Sequence, residues 1–157
     1  MAIDKVIAHL DKLGLAGRVQ QFDVSSATVA LAAQALGCEG ARIAKTLSFL
    51  LEGDRPMLLV AAGDAKIDNA KYKAQFHAKA RMIPAERVEA MIGHGVGGVC
   101  PFGVDPDIPV YLDASLRRFE TVYPACGSAN SAIELTLPEL EAASGSRGWV
   151  DVCKGWA

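Results

Sequence analysis

The 157-residue sequence has little of what marks several common classes of protein. Its four cysteines stand far apart without a Cys-x-x-Cys pair, and its three histidines are equally scattered, so neither a zinc site nor a disulfide scaffold is expected. No apolar run reaches the roughly 18 residues of a membrane span. The first residues also lack the apolar core of a signal peptide. We therefore expect reduced thiols, no metal, no membrane and a cytoplasmic location.

The sequence also lacks an excess of charge of either sign, since its net charge is -2 at neutral pH. This excludes a protein that coats nucleic acid through overall basic charge, and DNA is not an expected partner, although a local basic face stays open. Hydrophobic residues make up 51% of the chain and charged residues 22%, which is enough apolar material for a packed core. The length predicts one domain over residues 1–157.

Helical and strand patterns mix along the chain without a regular strand–helix–strand rhythm. The apolar runs Ile43–Leu51 and Met57–Ala62 flank a turn that contains Gly and Pro, which predicts a β-hairpin in the middle of a sheet. Ser25 or Ser26 is the predicted cap of the second helix, and Asp68 or Asn69 is the predicted cap of the third. Helices are predicted over residues 3–13, 27–36, about 70–77, 84–92 and from 137. Shorter strands are predicted over residues 18–24, 110–113, 120–122, 132–135 and 149–153. The expected fold class is α+β, or mixed α/β.

A glycine-rich segment follows the fourth predicted helix. Residues 93–103 contain five glycines and one proline, and Gly93, Gly95 and Gly98 formally match the dinucleotide-binding pattern. That pattern needs a strand before it and a helix after it, whereas here a helix precedes it and Pro101 prevents a helix immediately after, so we reject a dinucleotide site. Such a loop either presents backbone N–H donors to a carbonyl, carboxylate or phosphate oxygen, or is a tight turn without a ligand.

Lys45 interrupts the first apolar run. Strand alternation places it on the same face as Ile43 and Leu47. A lysine between two aliphatic neighbours either extends its ammonium group to solvent or serves a site.

Four segments, in order along the chain, resemble the YbaK/ProX family, the free-standing relatives of the editing domain of bacterial prolyl-tRNA synthetase. They are Ile-Ala-Lys-Thr-Leu at 43–47, Ala-Gly-Asp at 62–64 ahead of a lysine-bearing helix, the loop at 97–103, and Gly127 before an Ile-x-Leu strand. The resemblance covers nearly the whole chain. It implies a mixed, partly barrel-like sheet flanked by helices, with an aminoacyl group in a pocket. It also implies an aminoacyl-tRNA deacylase that hydrolyses the ester of mischarged tRNA in trans, in the first place tRNA(Pro).

The resemblance further implies which residues form the site. Lys45 is matched to the functional lysine of the family and is the catalytic candidate, which holds the terminal adenosine and the aminoacyl group. The loop at Gly97–Pro101 shapes the pocket and approaches the aminoacyl carbonyl with backbone groups. In several relatives the terminal 2′-hydroxyl of the substrate assists the attack, and no cofactor is needed. The substrate-binding candidates are Thr46, Gly97, Gly98, Val99, Cys100, Pro101, Phe102, Gly103, Gly127, Ser128 and Asn130.

Several of these candidates have a second interpretation. Cys100 is close in sequence to His94, which suggests a nucleophilic thiol. We prefer a small pocket-lining residue, because relatives often carry serine at this position. Ser128 and Asn130 are either pocket residues or turn residues that satisfy their own backbone.

Residues 66–87 carry six basic side chains against two acidic ones. Such a run is usually a solvated helix face. A tRNA acceptor stem must, however, be held by contacts to its phosphates, and this is the only concentrated basic region in the sequence. We therefore expect a tRNA-binding surface formed by Lys66, Lys71, Lys73, Lys79 and Arg81.

Two other functions stay open at this point. The same pocket would suit a non-catalytic module that binds tRNA, a nucleotide or an amino acid, or an accessory partner of prolyl-tRNA synthetase. The sequence does not identify the amino acid removed, since cysteine, alanine, serine and threonine esters differ little in size. It also leaves open whether water alone or the 2′-hydroxyl carries out the attack.

Overall fold

The computed structural model describes residues 2–156, which contain five α-helices and a curled six-stranded sheet that forms a half-barrel. The helices are α1 (Ala2–Asp11), α2 (Val29–Leu36), α3 (Asn69–Phe76), α4 (Ala85–Ile92) and α5 (Leu137–Ser144). The strands are β1 (Gln20–Gln21), β2 (Ile43–Leu51), β3 (Arg55–Ala62), β4 (Lys66–Ile67), β5 (Val110–Asp113), β6 (Thr121–Pro124), β7 (Ser131–Ala132), β8 (Leu135–Thr136), β9 (Trp149–Val150) and β10 (Cys153–Lys154). Short 3-10 helices lie at Ala16–Arg18, Gly40–Arg42 and Ala114–Arg118. The predicted mixed α/β class is confirmed.

The main sheet has the strand order β8-β6-β2-β3-β5-β9. The antiparallel hairpin β2–β3 lies at its centre, with Ala44 opposite Ala62 and Leu51 opposite Arg55. β6 runs parallel to β2, and β5 runs parallel to β3, so the sheet is mixed. Two small antiparallel pairs, β1–β7 and β4–β10, flank it. The antiparallel pairing of β2 and β3 confirms the hairpin prediction. The apolar runs that indicated it are expected for strands that are covered on both faces.

The core lies on both faces of this hairpin. Residues 57–62 of β3 have no solvent-accessible surface, although they alternate between the two faces of the sheet. On one side, Tyr72 and Phe76 of α3 stack with Phe49 of β2 and Tyr111 of β5, at ring-centre distances of 4.8 to 5.3 Å. Among residues 2–156, no helix is long and apolar enough to span a membrane.

The residue that caps α2 differs from the sequence prediction. Thr28 caps α2, since its hydroxyl accepts a hydrogen bond from the Leu31 N–H at 3.2 Å. The predicted cap at Ser25 or Ser26 was therefore wrong. Ser25 instead accepts a bond from the Ala27 N–H before the helix begins. Asp68 caps α3 as predicted, accepting bonds from the N–H groups of the second and third residues after it.

Some of the short strands are shorter than predicted, whereas the strand at Val110–Asp113 has the predicted bounds. The strand expected over residues 18–24 is reduced to Gln20–Gln21, because its partner β7 offers only two residues for pairing. The strand expected over residues 132–135 is divided into β7 and β8, since the chain changes sheets between Ala132 and Leu135. The alternating apolar residues predicted that these segments form strands, but not how many residues of each segment pair with a neighbouring strand.

Candidate active site

The candidate active site is a cavity that opens where β2 separates from β6. β2 pairs with β6 only at Ile43 and Ala44. Further along, the same edge of β2 bonds to the segment 81–83: the Ser48 carbonyl accepts from the Ile83 N–H at 3.0 Å, and the Leu50 N–H donates to the Arg81 carbonyl at 2.8 Å. Within the described chain, residues 45–47 have no strand along this edge.

The open edge exposes peptide groups of β2 toward the cavity. Backbone N–H and C=O groups point to opposite edges of a strand at successive residues. Because Ser48 and Leu50 bond to the segment 81–83, the N–H and C=O of Thr46 point to the same edge. A bound molecule can therefore take the place of the missing strand at Thr46.

The cavity has a volume of about 350 Å³, at the small end of the range for ligand pockets. α2 and α4 form two of its walls, and the glycine loop and β6 complete it. Its lining is mostly small and apolar, as at Ala27, Ala32, Ala44, Ala85 and Val88. Four predicted site residues line it together: Lys45, Thr46, Gly97 and Val99. This arrangement suits a small, mainly apolar group with polar contacts at a few points.

Lys45 lines the cavity, but its ammonium group is fixed at the turn that follows β3. The Nζ donates hydrogen bonds to the Gly63 carbonyl, at 3.4 Å, and to the Ala65 carbonyl. Burial lowers the pKa of the Lys45 ammonium group, and this effect is opposed by the nearby Cys153 thiol and Asp64 carboxylate. The positive charge is thus held in one place and is less shielded by water than that of a surface lysine.

The glycine loop lies between the start of α2 and the segment 127–129. Gly97 has a φ of +90°, and a Cβ atom there would lie 3.0 Å from the Ala27 Cβ. A Cβ on Gly98 would lie 2.7 Å from the Ser128 nitrogen. Gly127 in turn rests on α1, where a Cβ would lie 2.9 Å from the Val6 Cγ2. Glycine is favoured at these positions because a Cβ would press on neighbouring atoms, and at Gly97 and Gly127 also because φ is positive, at +90° and +93°.

The structure does not bring every predicted substrate-binding residue to the cavity. Ser128 bonds to Asn130 and to Ser131, at 2.9 and 2.7 Å, and the Asn130 amide donates to the Phe22 carbonyl at 3.0 Å. These polar groups thus bond within and beside their own turn. The predicted residues outside the cavity lining are Gly98, Cys100, Pro101, Phe102, Gly103, Gly127, Ser128 and Asn130.

Cys100 and His94 are in contact but lie in the core. The His94 Nε2 is 2.9 Å from the Phe102 carbonyl and 3.5 Å from the Cys100 Sγ, and all three residues are fully buried. Since the carbonyl can only accept, Nε2 carries the hydrogen, and Nδ1 has no hydrogen-bond partner among the described residues. Burial raises the pKa of Cys100 to about 12. The arrangement therefore does not favour a thiolate nucleophile.

Sequence reasoning missed Ser26 as a cavity residue. Ser26 lines the cavity and is only 7% exposed. In the described part of the chain, its hydroxyl and that of Thr46 have no hydrogen-bond partner. The sequence Ser-Ser-Ala-Thr at residues 25–28 contained a signal for this role, because it offers more hydroxyl side chains than one helix cap needs. Since Thr28 caps the helix, the Ser26 hydroxyl is not used for that purpose.

The five predicted tRNA-binding side chains are all exposed. Lys71 is paired with Asp151 at 3.1 Å, and Arg81 is paired with Asp54 at 2.5 Å. The other three, Lys66, Lys73 and Lys79, make no ion pair with any residue between 2 and 156. Lys154, opposite Lys66 in the β4–β10 pair, adds a further positive charge that the sequence run did not include.

The half-barrel holds a small cavity beside the half-buried Lys45, an arrangement suited to a compact ligand. Among residues 2–156, no three His, Cys, Asp or Glu side chains lie close enough to hold a metal ion. The model of the aminoacyl-tRNA editing domain family matches residues 24–143. The chain belongs to this family, and the predicted resemblance to free-standing editing proteins is confirmed.

Three relatives illustrate the similarity. The protein YwhH of Bacillus subtilis (strain 168) is 53% identical over 156 residues, which are 99% of each chain. The "Putative Cys-tRNA(Pro)/Cys-tRNA(Cys) deacylase EbsC" of Enterococcus faecalis (strain ATCC 700802 / V583) is 31% identical over 66% of this chain and 63% of its own length. A crystal structure of "a putative trans-editing enzyme for prolyl tRNA synthetase" superimposes with a TM-score of 0.86 and 29% identity, covering 98% of both chains.

Proposed function

We propose that this protein is an aminoacyl-tRNA deacylase, which hydrolyses in trans the ester that joins a wrong amino acid to the 3′ end of tRNA, in the first place tRNA(Pro), in the cytoplasm. The observation that carries the proposal is one cavity lined by both Lys45 and the loop residues Gly97 and Val99, in a chain of the editing-domain family. The similarity to the putative deacylase EbsC and to the crystal structure of a putative trans-editing enzyme supports this substrate class.

The proposed roles follow from the chemistry of an aminoacyl ester. The ester is already activated, so positioning the attacking oxygen and stabilising the developing oxyanion are sufficient. The Lys45 ammonium group holds a hydroxyl or phosphate of the terminal nucleotide as a fixed positive charge. Backbone N–H groups of the loop residues that line the cavity, Gly97 and Val99, together with that of Thr46 at the open edge of β2, stabilise the aminoacyl carbonyl oxygen. The attacking oxygen comes from water or from the terminal 2′-hydroxyl.

We propose that the acceptor stem binds along the basic surface formed by Lys66, Lys71, Lys73, Lys79 and Arg81. The last two residues lead directly into Met82 and Ile83, which line the cavity. Phosphates bound along this segment would therefore guide the 3′ end to the cavity. The unpaired members of the surface are the strongest candidates for direct contacts, because a phosphate does not have to displace a carboxylate.

The experiment is a deacylation assay on tRNA(Pro) charged with alanine, cysteine, serine or threonine, and on correctly charged Pro-tRNA(Pro). The wild type is expected to hydrolyse at least one mischarged ester, and Lys45→Ala to lose about 100-fold in rate. Lys12→Ala, an exposed lysine just after α1, is the matched control and is expected to retain the wild-type rate. Binding of mischarged tRNA without hydrolysis would favour the binding module instead.

A further inference from the structure

The position of the Lys45 ammonium group depends on a three-residue turn. Its two carbonyl partners belong to Gly63 and Ala65, on either side of Asp64. Neither partner is a side chain that could turn independently, so the ammonium group follows the backbone of residues 63–65. Whatever fixes this turn also fixes Lys45.

One side of the turn is fixed by close packing of the backbone. A Cβ atom on Gly63 would lie 2.1 Å from the Gly40 carbonyl oxygen and 2.8 Å from the Val29 Cγ1. Val29 belongs to α2 and lines the cavity. The turn therefore cannot move in this direction without displacing a wall of the cavity.

The other side is held by Arg118, at the end of the 3-10 helix between β5 and β6. Its Nη1 and Nη2 donate to the two carboxylate oxygens of Asp64 at 2.9 and 2.5 Å, the two-bond geometry that arginine forms with carboxylates. Arg118 is itself fixed by bonds to the Ser115 carbonyl at 3.0 Å and the Trp156 carbonyl at 3.2 Å. Its guanidinium group lies over the rings of Phe119 and Trp156, at 4.9 and 5.2 Å.

The same ion pair fixes the position of the negatively charged Asp64 carboxylate. The Asp64 and Arg118 side chains are 37% and 25% exposed, so water screens the pair only in part. The Arg118 guanidinium lowers the pKa of Asp64, and the Lys45 charge contributes in the same direction. While Arg118 binds both oxygens, the carboxylate is held in one position. Without Arg118, the carboxylate would be free to attract Nζ from its carbonyl partners.

We propose that Arg118 is a positioning residue for Lys45, which acts through Asp64 and the turn at residues 63–65. The consequence of this coupling for hydrolysis rests on the proposed function. The coupling itself does not, since it concerns only groups within this chain.

The first test measures the coupling without an activity assay. The 13Cε and 15Nζ resonances of Lys45 are assigned by their absence in Lys45→Ala, and are then compared in Arg118→Ala and Arg118→Lys. Both variants are expected to shift them, because lysine cannot form the two-bond contact. Arg117→Ala is the matched control: Arg117 precedes Arg118 and lies over the Trp149 ring at 4.3 Å. Unchanged resonances in folded Arg118→Ala would overturn the proposal.

The second test uses deacylation kinetics. Arg118→Ala is expected to lose about 10- to 100-fold in kcat with little change in KM, whereas Arg117→Ala keeps the wild-type values. Asp64→Asn is expected to move the alkaline decline of activity to lower pH, because removing the carboxylate lowers the pKa of Lys45. A role confined to folding would lower Tm without moving this decline. An unchanged kcat in Arg118→Ala would overturn the inference.

The two proposals fail in different ways. If the wild type and Lys45→Ala hydrolyse mischarged tRNA equally, the role proposed for Lys45 in hydrolysis is wrong, and the resonances still decide the coupling. If Lys45→Ala is inactive while Arg118→Ala is fully active and its Lys45 resonances are unchanged, the proposed function stands and the role of Arg118 is wrong.

Discussion

The backbone of Gly98 lies so close to that of Ser128 that a Cβ atom on residue 98 would be 2.7 Å from the Ser128 nitrogen. Such a distance is far shorter than an ordinary van der Waals contact. The contact joins the glycine loop to the segment after Gly127, which itself rests on α1. The loop that forms one wall of the cavity is thus part of a stack of backbone layers.

Gly98→Ala is expected to lower the free energy of unfolding by about 2 kcal/mol, because the added methyl group forces two backbone segments apart. Gly17→Ala is the control. Neither glycine has a φ in the left-handed region, and nothing lies within 4 Å of a Cβ on Gly17. That variant is expected to be unchanged or stabilised by up to about 1 kcal/mol. Urea unfolding measures both, and equal effects would contradict the importance of the close approach.

Thr46→Val is expected to raise the free energy of unfolding by about 1 kcal/mol while lowering the rate of deacylation. The buried hydroxyl has no partner in the described chain, so its removal relieves a desolvation cost, whereas a bound substrate would lose a polar contact. Ser26→Ala is expected to behave in the same way. Ser25→Ala is the control, because the Ser25 hydroxyl already accepts a bond from the Ala27 N–H. This variant is expected to leave activity unchanged. A destabilised and fully active Thr46→Val would contradict this role.

His94→Gln is expected to flatten the pH dependence of stability below about pH 6.5. Burial lowers the pKa of the folded imidazole, whereas the unfolded value is about 6.5. The unfolded chain therefore binds more protons, so the stability is fully present above pH 6.5 and decreases as the pH falls toward the folded pKa. Glutamine keeps a donor for the Phe102 carbonyl but does not titrate in this range.

Urea unfolding at pH 7.5, 6.5 and 5.5 measures this slope. The exposed His77 provides the control: His77→Asn retains a residue that tolerates the left-handed backbone at this position, where φ is 61°. We expect His77→Asn to keep the wild-type slope. An identical slope in wild type and His94→Gln would show that His94 does not contribute.

Lys73→Glu is expected to raise KM for aminoacyl-tRNA, with kcat little changed. It is also expected to reduce the slope of the logarithm of the binding constant against the logarithm of the salt concentration by about one. Lys73 is exposed on α3 and has no ion pair within residues 2–156, unlike Lys71, which is held by Asp151. Lys12→Glu makes the same change of charge outside the basic surface. A salt dependence that is equal in Lys73→Glu and the wild type would contradict a contact with phosphate.

The sequence predicted those parts of the fold that local patterns determine. The hairpin β2–β3 follows from two apolar runs around one turn, and the cap of α3 follows from Asp68 ahead of a helical pattern. The cavity could not be predicted in this way. It arises because β2 leaves β6 after Ala44, and such a separation depends on packing between distant segments.

The same limit applies to individual site residues. Lys45, Thr46, Gly97 and Val99 reach the cavity, whereas Cys100, from the same predicted loop, lies in the core because the chain turns inward after Val99. Composition could not separate these neighbours. The pairing of Arg118 with Asp64 joins residues 54 positions apart, and nothing in the local sequence of either marks the other. The roles of these residues in binding and hydrolysis stay predictions.

The separation of β2 from β6 has a consequence for how specificity can change within such proteins. Met82 and Ile83 line the cavity, and their segment is joined to Ser48 and Leu50 by backbone hydrogen bonds. A substitution in a flanking loop that shifts this segment by a fraction of an ångström would change the space for a ligand, with every side chain on the cavity wall retained. Proteins with identical linings can thus differ in what they accept, and a comparison of lining residues would miss the cause.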